Sequence, residues 1–110
     1  MKKGIIVVTG GAGFVGTNLI KSLLKFKNYK IISIDNYSTG KTINHIKSSR
    51  VKYIKSNTKK ISKILQKEKK KINCIFHFGE FARIHQSFLK LNECFESNSA
   101  GSKSVFKFCL

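Results

Sequence analysis

The fold is decided by a glycine-rich stretch near the N-terminus, Thr9-Gly10-Gly11-Ala12-Gly13-Phe14-Val15-Gly16. A continuous run of β-branched residues precedes it, so residues 4–9 are predicted to form a short strand buried on both faces. Residues 14–27 follow with apolar side chains at helical spacing. A Gly-x-x-Gly-x-x-Gly pattern between a strand and a helix is typical of a loop that binds the phosphates of a dinucleotide.

The three glycines of this pattern have separate physical roles. Gly10 permits the tight turn out of the strand, and Gly16 lets the helix pack closely against the sheet. Gly13 lacks a Cβ atom, so a pyrophosphate can approach its backbone, where the N–H groups at the helix start point at the phosphates. A Walker-type loop is excluded because the stretch does not continue into Gly-Lys-Ser or Gly-Lys-Thr. The alternative is a glycine-rich turn that binds no ligand.

Asp35, the only aspartate of the chain, is a second residue that indicates dinucleotide binding. It ends a second predicted strand, residues 30–35, and lies 19 residues after Gly16, near the separation of about 20 expected in a dinucleotide-binding unit. A carboxylate here can accept hydrogen bonds from both hydroxyls of the adenosine ribose and repels a 2′-phosphate. The cofactor is therefore predicted to be NAD rather than NADP. Lys41 nearby reduces that repulsion, and a strand-end aspartate without a ligand is the alternative interpretation.

The rest of the chain alternates between apolar runs and amphipathic stretches. It predicts strands at residues 51–55 and 72–78, and helices near residues 42–47, at 60–70 and over roughly 93–110. Strand–helix alternation with apolar strands indicates the α/β class, a parallel sheet with helices on both faces. Right-handed crossovers then give a doubly wound sheet of order 3-2-1-4, a Rossmann fold.

The amino-acid composition argues against two classes of binding partner, nucleic acids and membranes. With 110 residues the chain forms one domain at most, and 41% apolar residues are enough for a packed core. The net charge is +17, but lysine supplies 20 of the 22 basic residues and is spread along the chain. Sequence-specific nucleic-acid readers depend on arginine, so no nucleic-acid partner is predicted. No apolar run reaches the roughly 18 residues of a membrane span, so no membrane partner is predicted either.

The sequence contains no metal-binding motif. The three cysteines and three histidines show no metal-type spacing, and they are Cys74, Cys94, Cys109, His45, His77 and His85. We interpret the cysteines as free thiols of a reducing cytoplasm. His77 stands at a strand end and is interpreted as a packed core residue.

Four blocks of sequence resemble the extended short-chain dehydrogenase/reductase family, and within it the nucleotide-sugar epimerases and dehydratases of the UDP-glucose 4-epimerase kind. They are residues 9–16, residues 35–41, residues 75–80 running on to Ser87, and residues 98–102. The resemblance implies an NAD(P)-binding Rossmann fold. It also implies epimerisation or dehydration of a nucleotide sugar by transient hydride transfer to and from NAD, in a homodimer.

The same resemblance assigns cofactor-binding roles by position. The glycine loop, with the N–H groups of Phe14 and Val15, would hold the pyrophosphate, and residues 35–41 the adenosine ribose. Asn57 stands where the family has an aspartate for the adenine amino group. The full set implied is Gly10, Gly13, Phe14, Val15, Gly16, Asp35, Asn36, Ser38, Thr39, Gly40, Lys41, Asn57, Phe78, Gly79 and Asn98. Phe78, Gly79 and Asn98 would lie towards the nicotinamide.

No catalytic residue is assigned, because the family's Tyr-x-x-x-Lys pair follows a later strand. Residues 37–41 also spell Tyr-x-x-x-Lys, but they belong to the adenosine end and are predicted to be non-catalytic. Arg83 either faces the pyrophosphate or pairs with Glu80.

The last residues of the chain stand in the middle of an apolar stripe, without a helix cap. We therefore expect residues 1–110 to be the N-terminal part of a truncated dinucleotide-binding domain, with the catalytic and sugar-binding part absent. The last helix would then expose Val105, Phe106 and Phe108. The alternative is a non-catalytic dinucleotide-binding module or the remnant of a truncated gene.

Overall fold

Four parallel strands form one sheet in the computed structural model, which describes residues 4–38, 40–78 and 102–109. The strands are β1 (Gly4–Thr9), β2 (Tyr29–Asp35), β3 (Val51–Lys55) and β4 (Ile72–His77). They lie in the order β3-β2-β1-β4, and every neighbouring pair is parallel. The predicted order 3-2-1-4 is confirmed.

Helices cover both faces of this sheet, as the doubly wound prediction requires. Helix α1 (Phe14–Leu23) packs on one face, and α2 (Ile61–Ile64) with α3 (Ser102–Cys109) on the other. The buried side chains are Ile6, Val8, Ile20, Leu23 and Ile31 on the α1 side, and Val7, Ile32, Ile34, Ile61, Leu65, Val105 and Phe108 on the opposite side. Since successive strand residues point to opposite faces, an uninterrupted apolar strand serves both clusters.

Helix α1 ends at Leu23, four residues before the predicted end. The guanidinium group of Arg50 lies at this point and donates hydrogen bonds to three backbone carbonyls: Leu24 at 2.6 Å, Phe26 at 2.9 Å and Tyr29 at 3.4 Å. These carbonyls lie just after the C-terminus of α1. The guanidinium group of Arg50 supplies their hydrogen bonds, so no further helical turn is needed. The chain can therefore turn into β2.

Arg50→Ala should lower the free energy of unfolding by about 2 kcal/mol, because charged hydrogen bonds to these carbonyls are lost. Arg50→Lys should recover only part of that loss, since an ammonium group cannot reproduce the fork. Urea unfolding of the full-length protein, followed by circular dichroism, measures both. Lys52→Ala, at an exposed neighbouring position, is the control and should change stability by less than about 0.5 kcal/mol. Equal losses at positions 50 and 52 would contradict this role.

Two predicted helices are much shorter than expected. The prediction for residues 60–70 was wrong in length, because only Ile61–Ile64 is α-helical, between 3₁₀ turns at Thr58–Lys60 and Lys69–Lys71. Lysines four residues apart along this segment repel one another and oppose a long helix. The predicted helix near residues 42–47 is a single 3₁₀ turn, Thr42–Asn44. It stops because the next backbone N–H, that of Ile46, donates to a side chain at 2.8 Å instead of a helical carbonyl.

Helix α3 packs against α2 and the 3₁₀ turn at Thr58–Lys60, which corrects the expectation that Val105 and Phe108 are exposed. Val105 is 3% exposed and Phe108 5% exposed, and both belong to the cluster around Ile61 and Leu65. Residues three positions apart share one helix face, so this stripe is buried on α2. The ammonium group of Lys69 lies 5.2 Å from the centre of the Phe108 ring and adds a cation–π contact. The side chain of Phe106 and residues 93–101 lie outside the described part.

In the part of the chain that the structure describes, no helix has the length and apolar character needed to cross a membrane.

Candidate cofactor site

The predicted binding residues that the structure describes lie at one edge of the sheet. The carboxyl ends of β1 and β2 lie side by side in the pairing of Thr9 with Ile34, and β4 follows on the other side with His77 opposite Thr9. The chain leaves β1 towards α1, between β2 and β4. This is the point in a doubly wound sheet where the strand order reverses and where dinucleotides bind.

Two glycines allow the tight turn that begins at this edge. Gly10 has φ 73°, in the left-handed region that favours glycine, and its N–H donates to the carbonyl of Ile34 at 2.7 Å. At Gly16 a Cβ atom would lie 2.3 Å from the carbonyl oxygen of Gly10 and 2.7 Å from the Cα of Gly11. Helix α1 can therefore cross the loop this closely only with glycine at position 16.

Gly13 by contrast has room for a Cβ atom. It is extended (φ −83°, ψ 178°), and the atom nearest to a Cβ built there is the Gly10 carbonyl oxygen at 3.4 Å. Gly13 is the N-cap of α1 and has no side chain that could accept hydrogen bonds from the first turn. The N–H groups of that turn, from Phe14 onward, have no acceptor within the helix. Phe14 is 81% exposed and Val15 56% exposed. A backbone surface with free N–H groups at a helix start fits the pyrophosphate of a dinucleotide.

The carboxylate of Asp35 is fixed next to this loop. Asp35 is 8% exposed, and its Oδ2 atom accepts a hydrogen bond from the backbone N–H of Ala12 at 3.0 Å. Its Oδ1 atom accepts from the N–H of Tyr37 at 2.8 Å. A Cβ at Gly40 would lie 2.6 Å from Oδ2, so glycine leaves the carboxylate its room. Each oxygen retains a further lone pair, which fits an adenosine ribose that donates two hydroxyls.

The loop after β2 is tied to the glycine loop through the carbonyl of Ala12. The backbone N–H of Lys41 donates to it at 3.2 Å, and the side-chain amide of Asn44 at 2.8 Å. Asn36 is exposed, and its Oδ1 accepts from the N–H of Ser38 at 3.0 Å. Sequence reasoning missed Asn44, which lies in the segment predicted as a helix.

An aromatic cluster lies behind this loop and was also missed. Tyr37 has φ 62°, and its hydroxyl is hydrogen-bonded to Nε2 of His45. The His45 ring stacks on Tyr53 at a centroid distance of 3.8 Å and an angle of 12°. Desolvation, and then the charge of Asp35, raise the pKa of the Tyr37 hydroxyl above its ordinary value. The hydroxyl is therefore protonated at neutral pH, the opposite of an activated catalytic tyrosine.

The other predicted positions extend along the same edge. Asn57 is half-buried, and its Oδ1 accepts from the N–H of Lys59 at 3.2 Å, at the start of a 3₁₀ turn. Phe78 is exposed and its N–H donates to the carbonyl of Thr9 at 3.0 Å. Nδ1 of the half-buried His77 lies 2.6 Å from the hydroxyl of Thr9. The predicted residues Thr39, Gly79, Asn98, Glu80 and Arg83 lie outside the described part of the chain.

The cysteines that the structure describes are single thiols. Cys74 and Cys109 are both free and exposed, whereas Cys94 lies outside the described residues. Desolvation raises the pKa of the Cys74 thiol. It is therefore protonated at neutral pH and is a poor nucleophile.

The sheet order, the glycine loop and the strand-end carboxylate together define a protein of the Rossmann dinucleotide-binding class. More particularly, the chain belongs to the NAD dependent epimerase/dehydratase family, whose model matches residues 6–110. This confirms the resemblance seen in the sequence, and it confirms NAD as the cofactor of the family.

Three relatives show the range of proteins that this chain is similar to. It is 33% identical to a dTDP-D-glucose 4,6-dehydratase of Dictyostelium discoideum, over 94% of this chain and 25% of the relative. A UDP-N-acetylglucosamine 4-epimerase of Methanobrevibacter ruminantium, solved with UDP-N-acetylmuramic acid, is 29% identical with a TM-score of 0.78, over 99% of this chain and 34% of that one. The enzyme WbmG of Bordetella bronchiseptica, solved with NAD, is 25% identical with a TM-score of 0.79, over 94% and 33%. The chain thus spans a quarter to a third of these relatives' length.

Proposed function

We propose that residues 1–110 are the N-terminal, cofactor-binding part of an NAD-dependent enzyme that epimerises or dehydrates a nucleotide sugar. The observation that carries the proposal is the buried Asp35 carboxylate, held by two backbone N–H groups beside an open helix start. Family membership supports the reaction class. When bound, NAD supplies the acceptor and donor of the hydride that such a reaction moves.

The predicted residues would divide the cofactor between them. The backbone of the glycine loop and the N–H groups of Phe14 and Val15 would hold the pyrophosphate, where the helix dipole favours its negative charge. Asp35 would hold the adenosine ribose. Besides Phe14, Val15 and Asp35, the positions proposed to line the cofactor are Gly10, Gly13, Gly16, Asn36, Ser38, Thr39, Gly40, Lys41, Asn57, Phe78, Gly79 and Asn98.

The substrate proposed for the full-length protein is a nucleotide sugar. The similar proteins include a dTDP-D-glucose 4,6-dehydratase and an epimerase solved with a UDP-sugar acid, and this supports the substrate class. The resemblance in sequence further supports a homodimer, and the free thiols of Cys74 and Cys109 fit a reducing cytoplasm.

The experiment is an assay of UDP- and dTDP-sugars with NAD, using the full-length protein and residues 1–110 alone. We expect turnover from the former and none from the latter, because proton transfer at the sugar needs a base, and the family's Tyr-x-x-x-Lys pair follows a later strand. Tyr37 and Lys41 cannot supply it, since Tyr37 is bound to His45 beside Asp35.

Two outcomes would contradict the proposal. NAD binding by the full-length protein without turnover of any nucleotide sugar would favour a non-catalytic binding module. Turnover by residues 1–110 that disappears in Tyr37→Phe would show that the tyrosine at the adenosine end is catalytic.

A further inference from the structure

The Oδ1 atom of Asp35 is held by a single backbone group with an unusual conformation. That group is the N–H of Tyr37, at 2.8 Å, and Tyr37 has φ 62°. A bulky residue adopts this left-handed backbone only when its surroundings hold it there. The orientation of the Asp35 carboxylate therefore depends on whatever fixes residue 37.

The side chain of Tyr37 provides that fixed point. Its hydroxyl is hydrogen-bonded to Nε2 of His45, whose ring lies flat on Tyr53 of β3. Tyr53 in turn accepts the backbone N–H of Ile46 at 2.8 Å. The three rings therefore connect the turn after β2 to strand β3, which is part of the rigid sheet.

We propose that Tyr37 and His45 are positioning residues that hold the Asp35 carboxylate for the adenosine ribose and thereby set the preference for NAD over NADP. The inference rests on the proposed role of Asp35. Neither side chain needs to touch the cofactor for this effect.

The preference depends on orientation because the loop also carries a cation. Lys41 is exposed in the same loop and can attract a 2′-phosphate. A carboxylate that is held at both oxygens keeps its negative charge where the 2′-phosphate would lie. At that short distance its repulsion of the phosphate outweighs the attraction of Lys41. If the Tyr37 contact is lost, the carboxylate can turn away, and Lys41 then favours the phosphate.

The test measures the dissociation constants of NAD and NADP for the full-length protein by calorimetry. Tyr37→Phe removes only the hydroxyl, and His45→Phe keeps a ring on Tyr53 but removes the hydrogen-bond partner of that hydroxyl. Each variant should weaken NAD binding about fivefold, as expected for the loss of one hydrogen bond. The dissociation constant of NADP divided by that of NAD should fall by a similar factor. The double variant should be no weaker than either single variant, because both break one bond. Lys47→Ala, an exposed position two residues further on, should change neither constant.

Three results would overturn the inference: an unchanged ratio in both variants, an equal weakening of NAD and NADP, or additive effects in the double variant. An equal weakening indicates a purely structural role. Asp35→Ala separates this failure from that of the proposed function. If Asp35→Ala leaves NAD affinity unchanged, the role of Asp35 is wrong; if it weakens NAD while the two ring variants do not, only the positioning role is wrong.

Discussion

Gly16→Ala should destabilise the protein by about 3 kcal/mol or more, because its Cβ would overlap backbone atoms that cannot move aside. The contact is 2.3 Å from the Gly10 carbonyl oxygen, within the turn itself. Alanine is the better helix former by about 1 kcal/mol, which offsets only part of that cost. NAD binding should be lost together with the loop.

Gly13→Ala is the matched variant and should separate binding from folding. Its Cβ would lie 3.4 Å from the nearest atom, and the extended backbone suits alanine. The loss of stability should stay below about 1 kcal/mol, the cost of alanine at an N-cap. The methyl group would nevertheless stand where the pyrophosphate approaches, so NAD affinity should fall at least about a hundredfold.

Urea unfolding and calorimetry with NAD, on the same two proteins, check this pair of expectations. If Gly13→Ala binds NAD as tightly as the native protein, the glycine loop is not the pyrophosphate site. If Gly16→Ala unfolds at the same urea concentration as the native protein, helix α1 does not approach the loop as closely as described.

Asp35→Ala should weaken NAD binding by one to two charged hydrogen bonds, each worth roughly 1.5 to 3 kcal/mol. The same change should lower stability by about 1 to 3 kcal/mol, since the N–H groups of Ala12 and Tyr37 lose their acceptor. Discrimination against NADP should disappear, because no negative charge remains opposite a 2′-phosphate.

Asp35→Asn provides the control for charge. The amide keeps the shape and one acceptor oxygen, so stability and NAD affinity should fall less than in the alanine variant. NADP should nevertheless bind almost as well as NAD. Calorimetric titration with both nucleotides gives the four constants, and tighter binding of NADP than of NAD by the native protein would refute the assignment of Asp35.

The strands were predictable because their signal is local. Uninterrupted β-branched runs such as residues 4–9 suit only a strand buried on two faces, and β1 and β3 have the predicted bounds. Asp35 follows from the same logic, since a strand end fixes its position relative to the glycine loop. Sequence alone therefore predicted the sheet order and the proximity of Asp35 to the glycine loop.

The helix ends and the second layer of the site could not be predicted in this way. Helix α1 ends where Arg50, 24 to 26 residues away, reaches the Leu24 and Phe26 carbonyls. The contact of Tyr37 with His45 depends on a left-handed residue and a ring stack that no periodicity reveals. In each case the decisive partner is brought close by the fold, so local propensity carries no sign of it.

The two apolar clusters on opposite faces of the sheet imply an order of events during synthesis. The buried side chains on the α1 side all come from residues 6–31, whereas the cluster on the other side includes Val105 and Phe108. A chain that leaves the ribosome N-terminus first can close the α1 side early. The cluster around Ile32, Ile34 and Ile61 meanwhile stays incomplete until α3 emerges, and contacts so far apart in sequence form slowly. In the interval between these two events, that face of the sheet exposes apolar side chains that a chaperone would cover.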